Sequence, residues 1–124
     1  MYADQILDHA SSPRNKVLDV NSLSGYLTGV GKNPSCGDKA NYYIKIENDK
    51  VIDLKWVGEG CAVSQAGMSM LSEYLIGKNI SEMKTIFPGT IYKLLNINIT
   101  ASRAPCALLC YNATEDFLKK YATN

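Results

Sequence analysis

The apolar positions of the chain change period twice. Between residues 2 and 11, Ile6, Leu7 and Ala10 recur at helical spacing with Tyr2 and Ala3. Ser11-Ser12-Pro13 closes that run, because the residue before a proline avoids the helical region. Residues 14–24 are polar and irregular. The period then falls to two, and the stretches 25–32, 40–47 and 51–58 read as strands. In the second, Tyr42, Ile44 and Ile46 alternate with Tyr43, Lys45 and Glu47, and Asn48-Asp49 offers a tight turn into Val51, Ile52, Leu54, Trp56 and Val57. Gly25, Gly29 and Gly31 weaken the first strand. A hairpin alone is marginal, however, and a third strand supplies the stability it lacks.

Helical spacing returns at residues 61–76. Val63, Ala66, Met70, Leu71, Tyr74 and Leu75 form one stripe expected in the core, and Gly77 is the stop. Ser81 is the N-cap candidate of a second helical stretch through Met83, Ile86 and Phe87 to Pro88-Gly89, continued by Ile91, Leu94 and Leu95. The last helix is expected to open near Pro105 and to carry Ala107, Leu108, Tyr111, Phe117, Leu118 and Tyr121 on its apolar side. Strands grouped before helices predict an α+β fold, a three-stranded antiparallel sheet packed under several helices.

Composition narrows the class. With 124 residues, 46% hydrophobic and 20% charged, the chain can bury about two-thirds of its unfolded surface around one core. No repeat or linker divides it, so residues 1–124 are expected to form a single domain. Thirteen Lys and Arg against 12 Asp and Glu leave a formal charge of +1 with no basic concentration, which argues against nucleic acid as a partner. Nothing approaches the roughly 18 consecutive apolar residues of a membrane span. Met1-Tyr2-Ala3-Asp4-Gln5 lacks the basic-then-apolar pattern of a signal peptide, so the expectation is a cytoplasmic protein off the membrane. In that reducing compartment Cys36, Cys61, Cys106 and Cys110 read as metal ligands, reactive thiols or buried apolar residues rather than disulfides.

Three of the four stand at the ends of elements: Cys36 in a loop between strands, Cys61 where the third strand meets a helix, and Cys106 at the start of the last helix. A helix N-terminus presents unpaired N–H groups that favour thiolate over thiol. In Asn33-Pro34-Ser35-Cys36-Gly37-Asp38 a carboxylate follows a thiol by two residues, and Gly37 lets both turn to one point. Two thiolates from elsewhere would complete a tetrahedral Cys₃Asp site, in which the oxygen ligand is the more easily displaced. Zinc and the iron of a sulfide cluster both accept these ligands. The alternative for Asp38 is an ordinary turn residue, and for the cysteines, core packing. Spacings of 25 residues from Cys36 to Cys61 and 45 from Cys61 to Cys106 match no compact finger or ferredoxin motif.

The motifs N-P-S-C-G-D at 33–38, G-E-G-C-A-V-S-Q-A at 58–66 and R-A-P-C-A-L-L at 103–109, with the opening Y-A-D-Q-I-L-D-H-A-S-S-P-R-N, resemble the iron–sulfur cluster assembly scaffold family of IscU/SufU/NifU N-terminal type over nearly the whole chain. The resemblance implies a SufE/IscU-like α+β fold and a site formed by Cys36, Asp38, Cys61 and Cys106. It also implies persulfide sulfur taken from a PLP-dependent cysteine desulfurase of SufS/IscS kind, and delivery to a downstream Fe–S carrier or apo-protein. The scaffold branch carries His before its third cysteine and an L-P-P-V-K-type segment that recruits a dedicated Hsp70 chaperone. Here Pro105 precedes Cys106, and Ile99-Thr100-Ala101-Ser102-Arg103-Ala104 lies upstream, so such recruitment is not expected. Arg103 is similar to the SufU branch, whose members bind zinc. Yet the 45-residue interval from Cys61 to Cys106 lacks the insertion that SufU proteins carry between their last two cysteines.

By this resemblance the site takes zinc or carries a transient [2Fe–2S] cluster, and the sequence leaves open which is resident. The likeness to SufU favours Cys36 as sulfur acceptor, whereas the scaffold branch favours the position matching Cys106, and Arg103 would stabilise a persulfide anion by a charge-assisted hydrogen bond. The chain reads as a scaffold or sulfurtransferase-like acceptor rather than a conventional enzyme; a zinc-stabilised interaction module without sulfur chemistry is the alternative. A hydrolytic zinc enzyme would want a motif such as H-x-E with P-C-x-x-C, which is absent. Cys110, one helical turn after Cys106, reads as core packing. His9, the sole histidine, is not expected to bind metal, Lys39 reads as a solvated charge or a cation at the edge of the site, and Tyr74 and Tyr111 are expected in the core.

Overall fold

The computed structural model describes residues 4–33, 37–96, 98, 100 and 102–122. Helix α1 (Asp4–Ser11) precedes three strands, β1 (Leu27–Asn33), β2 (Asp38–Glu47) and β3 (Lys50–Glu59). Five helices follow: α2 (Ala62–Leu75), α3 (Ile80–Met83), α4 (Pro88–Leu95), α5 (Ala104–Ala107) and α6 (Leu109–Ala122). The strands form one antiparallel sheet in the order β1-β2-β3, as the alternating pattern predicts. Asn48 and Asp49 make the β2–β3 turn, both in the left-handed region at φ 53° and 61°, the geometry that matches the twist of a tight hairpin. None of the described helices is long and apolar enough to cross a membrane.

One face of the sheet is dry. Ala40, Tyr42 and Ile44 of β2 and Leu54 and Trp56 of β3 are buried with Val63, Ala66, Met68, Leu71 and Leu75 of α2 and Leu109, Ala113 and Phe117 of α6. The buried Tyr42 hydroxyl keeps a partner by donating to the Met68 carbonyl at 2.8 Å.

Gly29 and Gly31, which weaken a strand taken alone, are what let α6 lie on β1. A Cβ at Gly29 would stand 2.2 Å from the Ala113 carbonyl oxygen, and one at Gly31 would stand 2.4 Å from that of Leu109. No side chain fits there, so the backbone of α6 rests directly on the strand. That contact fixes the C-terminal helices, and Cys106 with them, at the end of the sheet where β1 gives way to β2.

Several sequence expectations are corrected. Residues 14–17 are not merely irregular. Trp56 donates its backbone N–H to the Asn15 carbonyl at 3.0 Å and accepts the Val17 N–H at 2.9 Å, so this segment covers the free edge of β3. Tyr74 is not core but 37% exposed, with the Lys78 ammonium 4.8 Å from its ring centroid. The stripe misplaces it because α2 is also buried along Ser64, Ser69 and Ser72, whose hydroxyls all have partners. Tyr111 is half-buried at the edge of the core. The cap of α3 is Asn79 rather than Ser81: Asn79 accepts the Glu82 N–H at 2.8 Å, and Glu82 accepts the Asn79 N–H at 3.1 Å, a reciprocal capping box. The last helix is broken at Leu108 (φ −90°, ψ 5°), which separates α5 from α6.

Candidate metal centre

Asp38 opens β2, Cys61 is the N-cap of α2, and Cys106 is the third residue of α5. The three come from different parts of the chain, yet a carboxylate oxygen and the two Sγ atoms all lie within 4.8 Å of one another. Asp38 and Cys61 are half-buried and Cys106 is 5% exposed, so the group sits just below the surface. On a tetrahedral zinc with Zn–S bonds of about 2.3 Å, neighbouring sulfurs stand about 3.8 Å apart. Small side-chain rotations therefore bring this donor set onto one ion, and two soft thiolates with one carboxylate suit zinc or iron rather than magnesium or calcium.

The surroundings favour thiolate at Cys61. Burial pushes its thiol up, but the Ser64 backbone N–H, the Ser64 hydroxyl, the Cys106 thiol and the Val63 N–H together outweigh it and hold the thiol below its ordinary value. This is the expected effect of a helix N-terminus. Cys106 is touched by the buried Asn33 amide, which donates to its Sγ at 3.9 Å, a long contact even for sulfur.

Ser64, which the sequence reading did not single out, lies among all three candidate residues. Its hydroxyl donates to Asp38 Oδ2 at 2.7 Å and lies 3.6 Å from Cys61 Sγ and 3.3 Å from the Cys106 carbonyl oxygen. The signal was present in the spacing: three residues after an N-cap, a side chain turns back over the start of its helix. Gly60 makes the approach possible, since a Cβ there would stand 2.8 Å from both Asp38 Oδ2 and the Ser64 Cβ.

Of the other residues marked in the sequence, Cys36 lies outside the described residues. Its neighbour Gly37, in the left-handed region at φ 76°, donates its N–H to the Asn33 carbonyl at 2.9 Å, and Asn33 pairs with Asp38 across the β1–β2 ladder. Arg103 is the exposed N-cap of α5, whose carbonyl accepts the Ala107 N–H at 3.0 Å. Cys110 is fully buried, its Sγ 3.5 Å from the Ala107 carbonyl oxygen, and burial pushes its thiol up to about 12; it packs the core, as expected. The His9 Nδ1 is 2.7 Å from Ser69 Oγ, and its Nε2 is 3.7 Å from Glu73. Lys39 is exposed and stands in register between Lys32 and Glu59.

A small antiparallel sheet under helices, with two cysteines and an aspartate gathered at one end of its strands, defines a class of thiolate-site α+β proteins. Within that class the chain belongs to the family of the NifU-like N-terminal domain, whose pattern it matches over residues 1–124. It is 32% identical to the iron–sulfur cluster assembly scaffold protein IscU of Thermotoga maritima, over 97% of this chain and 94% of that protein. It is 31% identical to the zinc-dependent sulfurtransferase SufU of Bacillus subtilis, over 97% and 90%. Those alignments run over 138 and 137 positions, more than the 124 residues of this chain, so both relatives carry residues that it lacks. Among solved structures, a protein of Fervidobacterium islandicum designated an iron–sulfur cluster assembly scaffold for the SUF system superposes with a TM-score of 0.73 at 27% identity, covering 94% of this chain and 96% of that one. The N-terminal NifU-like protein of Brucella abortus, at 18% identity and TM-score 0.74, shares the fold.

Proposed function

We propose that this chain is an iron–sulfur cluster assembly protein that accepts persulfide sulfur from a PLP-dependent cysteine desulfurase and passes it on, as a relay or as a scaffold, through a Cys₃Asp site. The convergence of Asp38, Cys61 and Cys106 within 4.8 Å carries this reading, together with the kinship to a scaffold and to a zinc-dependent sulfurtransferase. Cys36 is the fourth ligand: it is two residues from Asp38, and two residues of chain span at most about 7 Å. Zinc, when bound, keeps cysteine ligands deprotonated at neutral pH.

The sulfur step belongs to the protein's own thiolate. Cys36 Sγ attacks the terminal sulfur of the donor's persulfide, and a new S–S bond forms on Cys36. The donor's S–S bond breaks with its electron pair left on the donor cysteine, so no outside oxidant or reductant is needed. Arg103, three residues before Cys106, supplies a cation for the persulfide anion. A [2Fe–2S] cluster carried on the same residues is cargo, handed to a downstream carrier or apo-protein.

The test is anaerobic incubation of the wild-type chain and Cys36→Ser with a desulfurase, PLP and sulfur-labelled cysteine, read by mass spectrometry of the trapped thiols. Wild type gains labelled sulfur and Cys36→Ser does not. Equal loading of the variant removes Cys36 as acceptor, and no loading of the wild type overturns sulfur acceptance itself.

A further inference from the structure

Ser64 is 1% exposed and its hydroxyl has one proton to give. Three acceptors surround it, and the distances place the proton on the carboxylate: 2.7 Å to Asp38 Oδ2, against 3.3 Å to the Cys106 carbonyl oxygen and 3.6 Å to Cys61 Sγ. The same Oδ2 accepts the Cys61 backbone N–H at 3.4 Å. Two donors thus converge on one oxygen of the carboxylate. The space they occupy exists because residue 60 is glycine, where any Cβ would collide with Oδ2 and with Ser64 itself.

A carboxylate without such donors can swing about its Cα–Cβ bond and can chelate through both oxygens. With Oδ2 held by the Ser64 hydroxyl and by the Cys61 N–H, the carboxylate is fixed beside the two thiols. We infer that Ser64 is the positioning residue of the metal centre, holding Asp38 in place as a ligand through its hydrogen bond to Oδ2. This rests on the metal-binding part of the proposed function. It makes Ser64 act on the metal chiefly through Asp38, its partner at 2.7 Å, rather than through the longer 3.6 Å contact with Cys61 Sγ or through the fold.

A double-mutant cycle separates these routes. Zinc affinity is measured by chelator competition for the wild type, Ser64→Ala, Asp38→Ala and the double variant, with thermal unfolding of each metal-free chain alongside. Loss of an outer hydrogen bond to a ligand costs about 10- to 100-fold in metal affinity. Ser64→Ala is therefore expected to bind zinc about 10- to 100-fold more weakly than wild type, and the double variant to bind it as Asp38→Ala does. Metal-free Ser64→Ala should keep a cooperative unfolding transition, since alanine is a better helix former than serine. An equal loss on both backgrounds, or no loss on the wild-type background, overturns the assignment while leaving the metal site standing. A wild-type chain that takes up no zinc overturns the metal reading, and the role of Ser64 with it.

Discussion

Asp38 caps a helix that begins 24 residues after it in the chain: its Oδ2 accepts the backbone N–H of Cys61, the N-cap of α2, at 3.4 Å. Cys61 makes no side-chain cap bond of its own, because a thiol is a weak substitute for the Ser, Thr, Asp or Asn usual at that position. The carboxylate therefore serves the fold as well as the site. Asp38→Ala should destabilise the metal-free chain by about 0.5–2 kcal/mol, the usual cost of a lost cap. Chemical denaturation in the presence of a chelator checks this. Unchanged metal-free stability would confine Asp38 to the ligand set.

Gly31→Ala should loosen the site from a distance. The new Cβ would meet the Leu109 carbonyl at 2.4 Å, so α6 must lift from β1 and carry α5 and Cys106 away from Asp38 and Cys61. Overpacking of this kind costs about 1–3 kcal/mol. Thermal unfolding should show that loss, and zinc competition should show weaker binding in the same variant. Gly25→Ala is the contrast. Its position has nothing within 4 Å of an added Cβ, so only backbone strain at φ 87° is introduced, far from the metal ligands in the chain.

The cysteines should react unequally in the metal-free native protein. Cys61, half-buried and held below its ordinary value, should alkylate readily at pH 7.5, whereas Cys110, with its thiol pushed up to about 12 and no exposed surface, should stay unmodified until the chain is denatured. Timed alkylation with peptide mass mapping distinguishes them. Cys110→Ala should bind as much zinc as wild type.

These contrasts show what could be read in the chain and what could not. The three strands, the Asn48-Asp49 turn and the helix beginning after Cys61 follow from local periodicity and turn chemistry, and the structure has them within two residues. The candidate ligands Asp38, Cys61 and Cys106 were legible as residue types at element ends. What was hidden depends on partners far along the chain. Ser64, Ser69 and Ser72 look like solvent positions until Asp38, His9, Arg14 and Asn15 arrive to satisfy them. Tyr74 fits the apolar stripe yet is left outside because those serines take the buried surface. Asn79 and Ser81 are both good caps; the winner is the one with Glu82 three residues on. Gly29 and Gly31 read as weakness until α6 is seen lying on them.

Stability should fall in mild acid through His9. Burial lowers its pKa from the usual 6.5, with the Arg14 guanidinium acting in the same direction and Glu73 and Asp8 opposing. The folded state thus prefers the neutral ring, and between the two values the unfolded chain binds more protons. The contribution is fully present above pH 6.5 and is lost as pH falls through the lower folded value. Unfolding free energies from pH 7.5 down to 5 should decline in the wild type and decline less in His9→Gln. Parallel pH profiles would assign the decline to other groups.

The donor set of the metal itself is the most direct test of the account. X-ray absorption at the zinc edge, on the wild-type chain loaded with one equivalent, should give three sulfurs at about 2.3 Å and one oxygen at about 2.0–2.2 Å. The Asp38→Ala variant should lose the protein oxygen and keep the sulfurs. A first shell of four sulfurs, which would bring in Cys110, or one of nitrogen and oxygen alone, would contradict the Cys36, Asp38, Cys61 and Cys106 site.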